Sequence, residues 1–418
     1  MEQRFVLSNG IRVLIEDIPY VHSAAIGFWI DSGAKNETIE DNGISHFIEH
    51  MLFKGTPRRT ALEIARSFED TGGTINAFTD KENTCYYARV LAHHLPMAID
   101  VLGDMLLHSL LDQGEVQRER KVILEEIKMY EDTPDELVYD LFSQIFWKDH
   151  PLGRAIVGTK KSVKEIEQSR LKDFLSVNYT PDRLVVAVVG KVEPNKVLDQ
   201  LESLFGEWRS PGVTHLESEP QPQSSSLVKY KDIEQVHLCL GTKGVSITDA
   251  DRFALAFLDS ILGGGMSSNL FQEIREKRGL AYSISTYQSL YRPGGIFGVY
   301  AGTSPSSLPE VIRLIIEEFE KVKSGQIREE ELDRAREQLK GGILLSLEVP
   351  RHRMSRLARN ELYYGRIVPI EEVISGIDQV QLSDLVRVAK EIFQNRFLTA
   401  TVVGPLRKFD FDPQKIGT

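Results

Sequence analysis

The run Asp182-Arg183-Leu184-Val185-Val186-Ala187-Val188-Val189-Gly190 is a short apolar strand closed by a glycine, and the chain contains it twice. Its second copy, Asn395-Arg396-Phe397-Leu398-Thr399-Ala400-Thr401-Val402-Val403-Gly404, lies 213 to 214 positions later. Just upstream, Ile166-Glu167-Gln168-Ser169-Arg170-Leu171-Lys172-Asp173 matches Ile377-Asp378-Gln379-Val380-Gln381-Leu382-Ser383-Asp384 at an offset of 211. Two matches in the same order point to a duplication. Outward from these strands, helical patterns over Leu95 to Leu111 and Leu308 to Val322 alternate with hairpin-like strands over Thr74 to Thr79 and Thr84 to Leu91. The expected fold class is α+β: two duplicated halves, each a helix-covered, mostly antiparallel sheet. A doubly wound parallel fold would need regular strand-helix-strand alternation. Prolines and a serine run around 210–226 read as an exposed linker. The expected domains are therefore 1–209, a linker at 210–226, and 227–418.

The 418 residues suffice for two domains, each with its own core. Hydrophobic residues at 41% and charged residues at 27% exclude a disordered or fibrous chain. With 50 Lys and Arg against 61 Asp and Glu, the net charge of -11 is the wrong sign for a nucleic-acid partner. No stretch approaches the about 20 apolar residues of a membrane span. The opening residues read as two strands about Asn9-Gly10, without the features of a signal peptide, so the expected compartment is the cytoplasm. Cys85 and Cys239 sit in apolar strand-like runs and read as small buried hydrophobes.

Residues 42–53 carry the chemistry. Ile44, Phe47, Ile48, Met51 and Leu52 follow the spacing of a helix packed on a core, with Asp41-Asn42 as its expected cap. His46 and His50, four apart, share one side of that helix, with Glu49 beside them. This H-x-x-E-H pattern is an inverzincin motif, in which the histidines bind zinc and the glutamate takes the proton of the attacking water. The competing reading is a buried helix whose histidines only hydrogen-bond. A hydrolytic zinc takes three protein ligands, and the charged helix expected over 115–132 offers the third. Glu125 stands between Lys121 and Lys128, which suits a solvated ion-paired face. Glu126 shares its face with Glu119, Val122 and Ile123, where a lone charge is costly without a cation. Glu126 is the expected ligand, and Glu119 the acceptor of a hydrogen bond from a ligating histidine. An ordinary solvated carboxylate is the alternative for Glu119.

With these residues in place, the chain resembles the pitrilysin or insulinase-type (M16) zinc metallopeptidases. The likeness is to the half-size bacterial members that are similar to mitochondrial processing peptidase subunits. It rests on His46-Phe47-Ile48-Glu49-His50-Met51-Leu52-Phe53-Lys54-Gly55-Thr56 and on Glu126, 76 residues after His50. Gly72-Gly73-Thr74-Ile75-Asn76-Ala77-Phe78-Thr79 and Leu262-Gly263-Gly264-Gly265-Met266-Ser267-Ser268 agree as well, so the resemblance covers nearly the whole chain.

The resemblance implies one Zn2+ per chain and extended peptide bound along Asn76, Ala77, Phe78 and Thr79 by strand addition. An ordinary interior strand is the alternative there. The Gly263-Gly264-Gly265 run lacks a following Gly-Lys-Ser, which disfavours a phosphate loop. It reads as the start of a helix capped by Ser267, and by resemblance lines the peptide chamber. Arg275 and Tyr282 look like the Arg and Tyr pair that holds substrate and polarises the carbonyl in larger members. Their plain alternative is a surface Arg and a half-buried strand Tyr. In double-length relatives that pair faces the metal from the fourth domain, so the resemblance implies a two-fold homodimer with sites completed in trans. The expected function is a zinc-dependent endopeptidase cleaving short or unfolded peptides within a closed chamber. Its rival is a proteolytically silent scaffold subunit of the same fold.

Overall fold

Two β-sheets organise the computed structural model, which describes residues 2–210, 219–409 and 411. The first contains β1 (Glu2–Val6), β2 (Arg12–Asp17), β3 (Ser23–Ile30), β4 (Thr74–Thr79), β5 (Thr84–Leu91) and β6 (Leu184–Gly190). Their order is β1-β2-β6-β3-β5-β4, and β2 with β6 is the one parallel pairing. β6, the repeated apolar run, is buried at every position, as a central strand covered on both faces must be. The second sheet contains β7 (Ser226–Tyr230), β8 (Val236–Lys243), β9 (Ala281–Tyr291), β10 (Gly294–Thr303) and β11 (Thr399–Gly404). Its order is β7-β11-β8-β10-β9, with β7 and β11 parallel. Setting β1 aside, the two sheets correspond strand for strand, parallel pair included. The fold is α+β, and the duplication read from β6 and β11 extends through both sheets.

The helices of the first half are α1 (Ile44–Leu52), α2 (Ala61–Glu69), α3 (Leu95–His108), α4 (Gln113–Asp132) and α5 (Pro134–Phe146), with shorter ones before β6 and one at Pro194–Phe205 after it. α3 stops three residues short of the expected Leu111, which takes a positive φ of 46° that no helix accepts.

The chain divides into two compact units that are not contiguous in sequence. Besides most of the first half, the first unit takes in Leu345–Val368; besides most of the second, the other takes in Met129–Gly153. The boundaries expected at 1–209, 210–226 and 227–418 differ at both segments. Residues 211–218 of the expected linker lie outside the described residues, and β7 already begins at Ser226.

The cause is apolar burial. Val185, Ala187 and Val189 alternate to one face of the first sheet, where they bury Met354, Leu357, Ala358 and Leu362 of the Pro350–Tyr364 helix. In the second unit α5 does the same, with Val138, Phe142 and Phe146 packed on Cys239, Ile296 and Val403. Cys85 and Cys239 are both buried free thiols. Among the described residues no helix is long and apolar enough to cross a membrane.

Candidate metal centre

Helix α1 buries Ile44, Phe47, Ile48, Met51 and Leu52, which anchors its other side at a fixed rotation. The side chains of the expected cap, Asp41-Asn42, do not accept from the helix. The residue that caps the helix is Gly43, at φ 95°, and it has no side chain to accept the first N–H groups. Glu37 accepts from two of them instead, at 2.8 Å from Gly43 N and 2.9 Å from Ser45 N, while Ile44 N goes to the main-chain carbonyl of Asp41.

One turn apart, the rings of His46 and His50 lie 4.6 Å apart between centroids. Glu126 arrives from α4, with Oε1 3.6 Å from His46 Nε2 and Oε2 3.7 Å from His50 Nε2. One donor atom from each of the three lies within 4.8 Å of the others, the group among the described residues that could hold a metal ion. The separations are too long for hydrogen bonds. They suit donors sharing an ion, since two ligands about 2.1 Å from a tetrahedral zinc lie about 3.4 Å apart. Two imidazole nitrogens and a carboxylate are also the donor set of hydrolytic zinc.

Burial pushes His46 down to about 3, helped by the charge of His50, so its ring is neutral with a lone pair to give. Burial likewise raises Glu126, with His50 opposing. A cation among the three would offset the cost of keeping Glu126 ionised.

The carboxylate of Glu49 stands beside this group. Burial raises its pKa, and Thr79, whose hydroxyl donates to Glu49 Oε2 at 2.6 Å, pulls it partly back. Glu119 lies on the buried stripe of α4 with Oε2 3.1 Å from His50 Nδ1, and its other oxygen pairs with Lys54 Nζ at 2.6 Å. The solvated alternative for Glu119 is overturned, since it is 6% exposed. The stripe is Val116, Glu119, Ile123 and Ile127, and Val122 is not part of it, being 50% exposed. Glu125 points into solvent and pairs with Lys128, as the spacing predicted, while Lys121 takes no part in that pair.

Thr79 holding Glu49, Lys54 holding Glu119 and Glu37 capping α1 are contacts that sequence reasoning missed. Each reaches the site from outside the helices that carry the motif, and only the presence of Lys54 in the motif run hinted at any of them.

Strand β4 is the edge of its sheet, so the interior-strand alternative falls. Asn76 and Phe78 lie on its more exposed face, and Ala77 and Thr79 on the other. Arg275 lies in the last turn of the π-helical segment Phe271–Glu276 and Tyr282 follows at the start of β9. The guanidinium carbon is 5.6 Å from the Tyr282 ring centre, and Tyr282 is exposed rather than half-buried. Both belong to the second unit, whereas the metal donors belong to the first. The glycine run does not start a helix with Ser267. Gly263 ends the Arg252–Gly263 helix, and Ser268 accepts the first bond of the next turn.

Residues 12–160 match the family described as insulinase (peptidase family M16), and residues 165–339 match the peptidase M16 inactive domain. A Bacillus subtilis (strain 168) protein named uncharacterized zinc protease YmxG is 41% identical, over 96% of this chain and 98% of its own length. The chain belongs to peptidase family M16. Its M16 relatives also include a Streptomyces coelicolor protein named uncharacterized zinc protease SCO5738, 40% identical over 97% of this chain and 90% of its own. The M16 fold is shared with the crystal structure of a protease from Helicobacter pylori, at a TM-score of 0.91 and 24% identity, covering 96% of this chain and 99% of that one. His46, Glu49, His50, Glu119 and Glu126 all fall in the first M16 match, and Arg275 and Tyr282 in the second.

Proposed function

We propose that this M16 chain is a zinc-dependent endopeptidase acting on short or unfolded peptides. The observation that carries the reading is the convergence of His46, His50 and Glu126 with a half-buried Glu49 beside them. A zinc ion held by those three residues supplies Lewis acidity to the scissile carbonyl and to water. Glu49 takes the proton of the attacking water and returns it to the leaving amine, a relay suited to a carboxylate whose pKa burial has raised. Thr79 holds one oxygen of Glu49, leaving the other to accept. Glu119 accepts a hydrogen bond from the Nδ1–H of His50, which leaves Nε2 free for the metal.

Substrate backbone pairs along the free edge of β4, at Asn76, Ala77, Phe78 and Thr79. Arg275 and Tyr282 are suited as donors to the developing oxyanion, and we assign them to the site of the opposite protomer in a two-fold homodimer enclosing a chamber. The experiment pairs zinc stoichiometry with hydrolysis of a quenched fluorogenic peptide, with and without chelator. Zinc-dependent turnover supports the peptidase. A zinc-loaded chain that cleaves nothing is the silent scaffold.

A further inference from the structure

We propose that Glu37 is a positioning residue for the metal helix, holding in place the turn that carries His46. The inference rests on the zinc reading above. The first N–H groups of a helix have no partner within it, and a Ser, Thr, Asp or Asn side chain at the capping position normally accepts them. Helix α1 cannot use one. Gly43 takes φ 95°, and a Cβ on it would lie 2.9 Å from both Gly158 Cα and Val157 O. The acceptor is delivered from six residues upstream. Glu37 Oε2 accepts from Gly43 N at 2.8 Å and from Asn42 Nδ2 at 3.0 Å, and Oε1 accepts from Ser45 N at 2.9 Å.

Glu37 is itself held. It is 5% exposed, and Arg154 donates to its carbonyl at 2.5 Å. Asn42 also donates to Ala155 O at 2.9 Å, which ties the start of α1 to the same loop.

The two histidines need this support unequally. His50 is oriented through its side chain, by Glu119 at Nδ1. His46 Nδ1 is buried with no hydrogen-bond partner among the described residues. His46 lies in the first turn of α1, directly after Ser45, where an uncapped helix frays. Its aim therefore depends on the backbone of that turn, and the Glu37 carboxylate fixes that backbone.

The test measures zinc affinity of the full chain by competition with a chromogenic chelator, alongside urea unfolding of the zinc-free form. Glu37→Gln keeps the shape but turns an NH2 toward N–H donors, and Glu37→Asp keeps the charge on a shorter arm. Thr60→Ala is the control, since it removes the side-chain cap of α2, which carries no metal donor. Zinc affinity is expected to fall about 10- to 100-fold in Glu37→Gln, less in Glu37→Asp and not at all in Thr60→Ala. A folded Glu37→Gln chain that holds zinc as the wild type does overturns the assignment. So does failure of both Glu37 variants to fold, which would make Glu37 a structural cap only. A wild-type chain without zinc affinity fails earlier and removes the zinc reading together with this one.

Discussion

Glu49 and Glu126 are both half-buried carboxylates with raised pKa values beside the same two histidines, yet they are assigned different work. Glu126 faces both imidazoles, whereas Glu49 is held by Thr79. Glu49→Gln is therefore expected to keep stoichiometric zinc and lose peptide hydrolysis by at least about 100-fold, because the amide preserves shape but accepts no proton. Substantial turnover in the zinc-loaded variant would take the base role from Glu49. Glu126→Gln is expected to lose zinc on dialysis against a mild chelator, and Glu125→Gln to keep it, since Glu125 is a solvated partner of Lys128. Equal retention in the two would show that the wrong carboxylate was chosen.

At this scale the motif was legible because helical spacing converts directly into position: four residues bring His46 over His50. Glu126 was legible as a charge next to the stripe that buries Ile123 and Ile127. Val122 was misplaced on that stripe because a neighbouring apolar residue at the stripe's margin does not announce its own exposure. Thr79 and Lys54 were not assigned their roles because nothing in their own segments encodes which carboxylate they meet.

Among the elements, β4 and β5 were readable to the residue as a hairpin-like pair, but the edge position of β4 is a property of the sheet and not of its six residues. The start of α1 was misread for a related reason. Asp41-Asn42 is a good cap by residue type, and Glu37, a few residues further upstream, accepts in place of their side chains. That acceptor leaves a mark on stability. Burial pushes Glu37 up to about 7 from 4.5, against the opposing donors of Asn42, Gly43 and Ser45. A carboxyl raised in the native state binds its extra proton between those values, so its contribution is complete below about 4.5 and is lost as pH rises through about 7. Urea midpoints of the zinc-free chain are expected to fall over this window by more in the wild type than in Glu37→Gln, whose level is lower but whose slope is flatter. Identical slopes would contradict the burial of an ionisable Glu37.

For the whole molecule, the repeated strand foretold two matching sheets, because an all-apolar run ending in glycine is specific enough to be recognised twice. It could not foretell which helix covers which sheet. The apolar stripe of the Pro350–Tyr364 helix matches any flat apolar face, and only the folded units show that it covers the first sheet. Assembly is the remaining prediction at this scale. Mixing Glu49→Gln with Arg275→Ala chains after reversible dissociation is expected to return about a quarter of wild-type activity, since each mixed dimer then has one intact site. A mixture no more active than its parents, with subunit exchange confirmed, would place completion within one chain.

The borrowed helix also sets an order of events during synthesis. All three metal donors and the whole first sheet lie upstream of Lys191 in the chain, but the face formed by Val185, Ala187 and Val189 is covered only by the helix that ends at Tyr364. Until then a nascent chain displays bare apolar surface of the kind that chaperones retain. On the peptidase reading, the sheet that backs the metal donors is thus covered on this face only after more than 150 further residues have been added beyond Gly190.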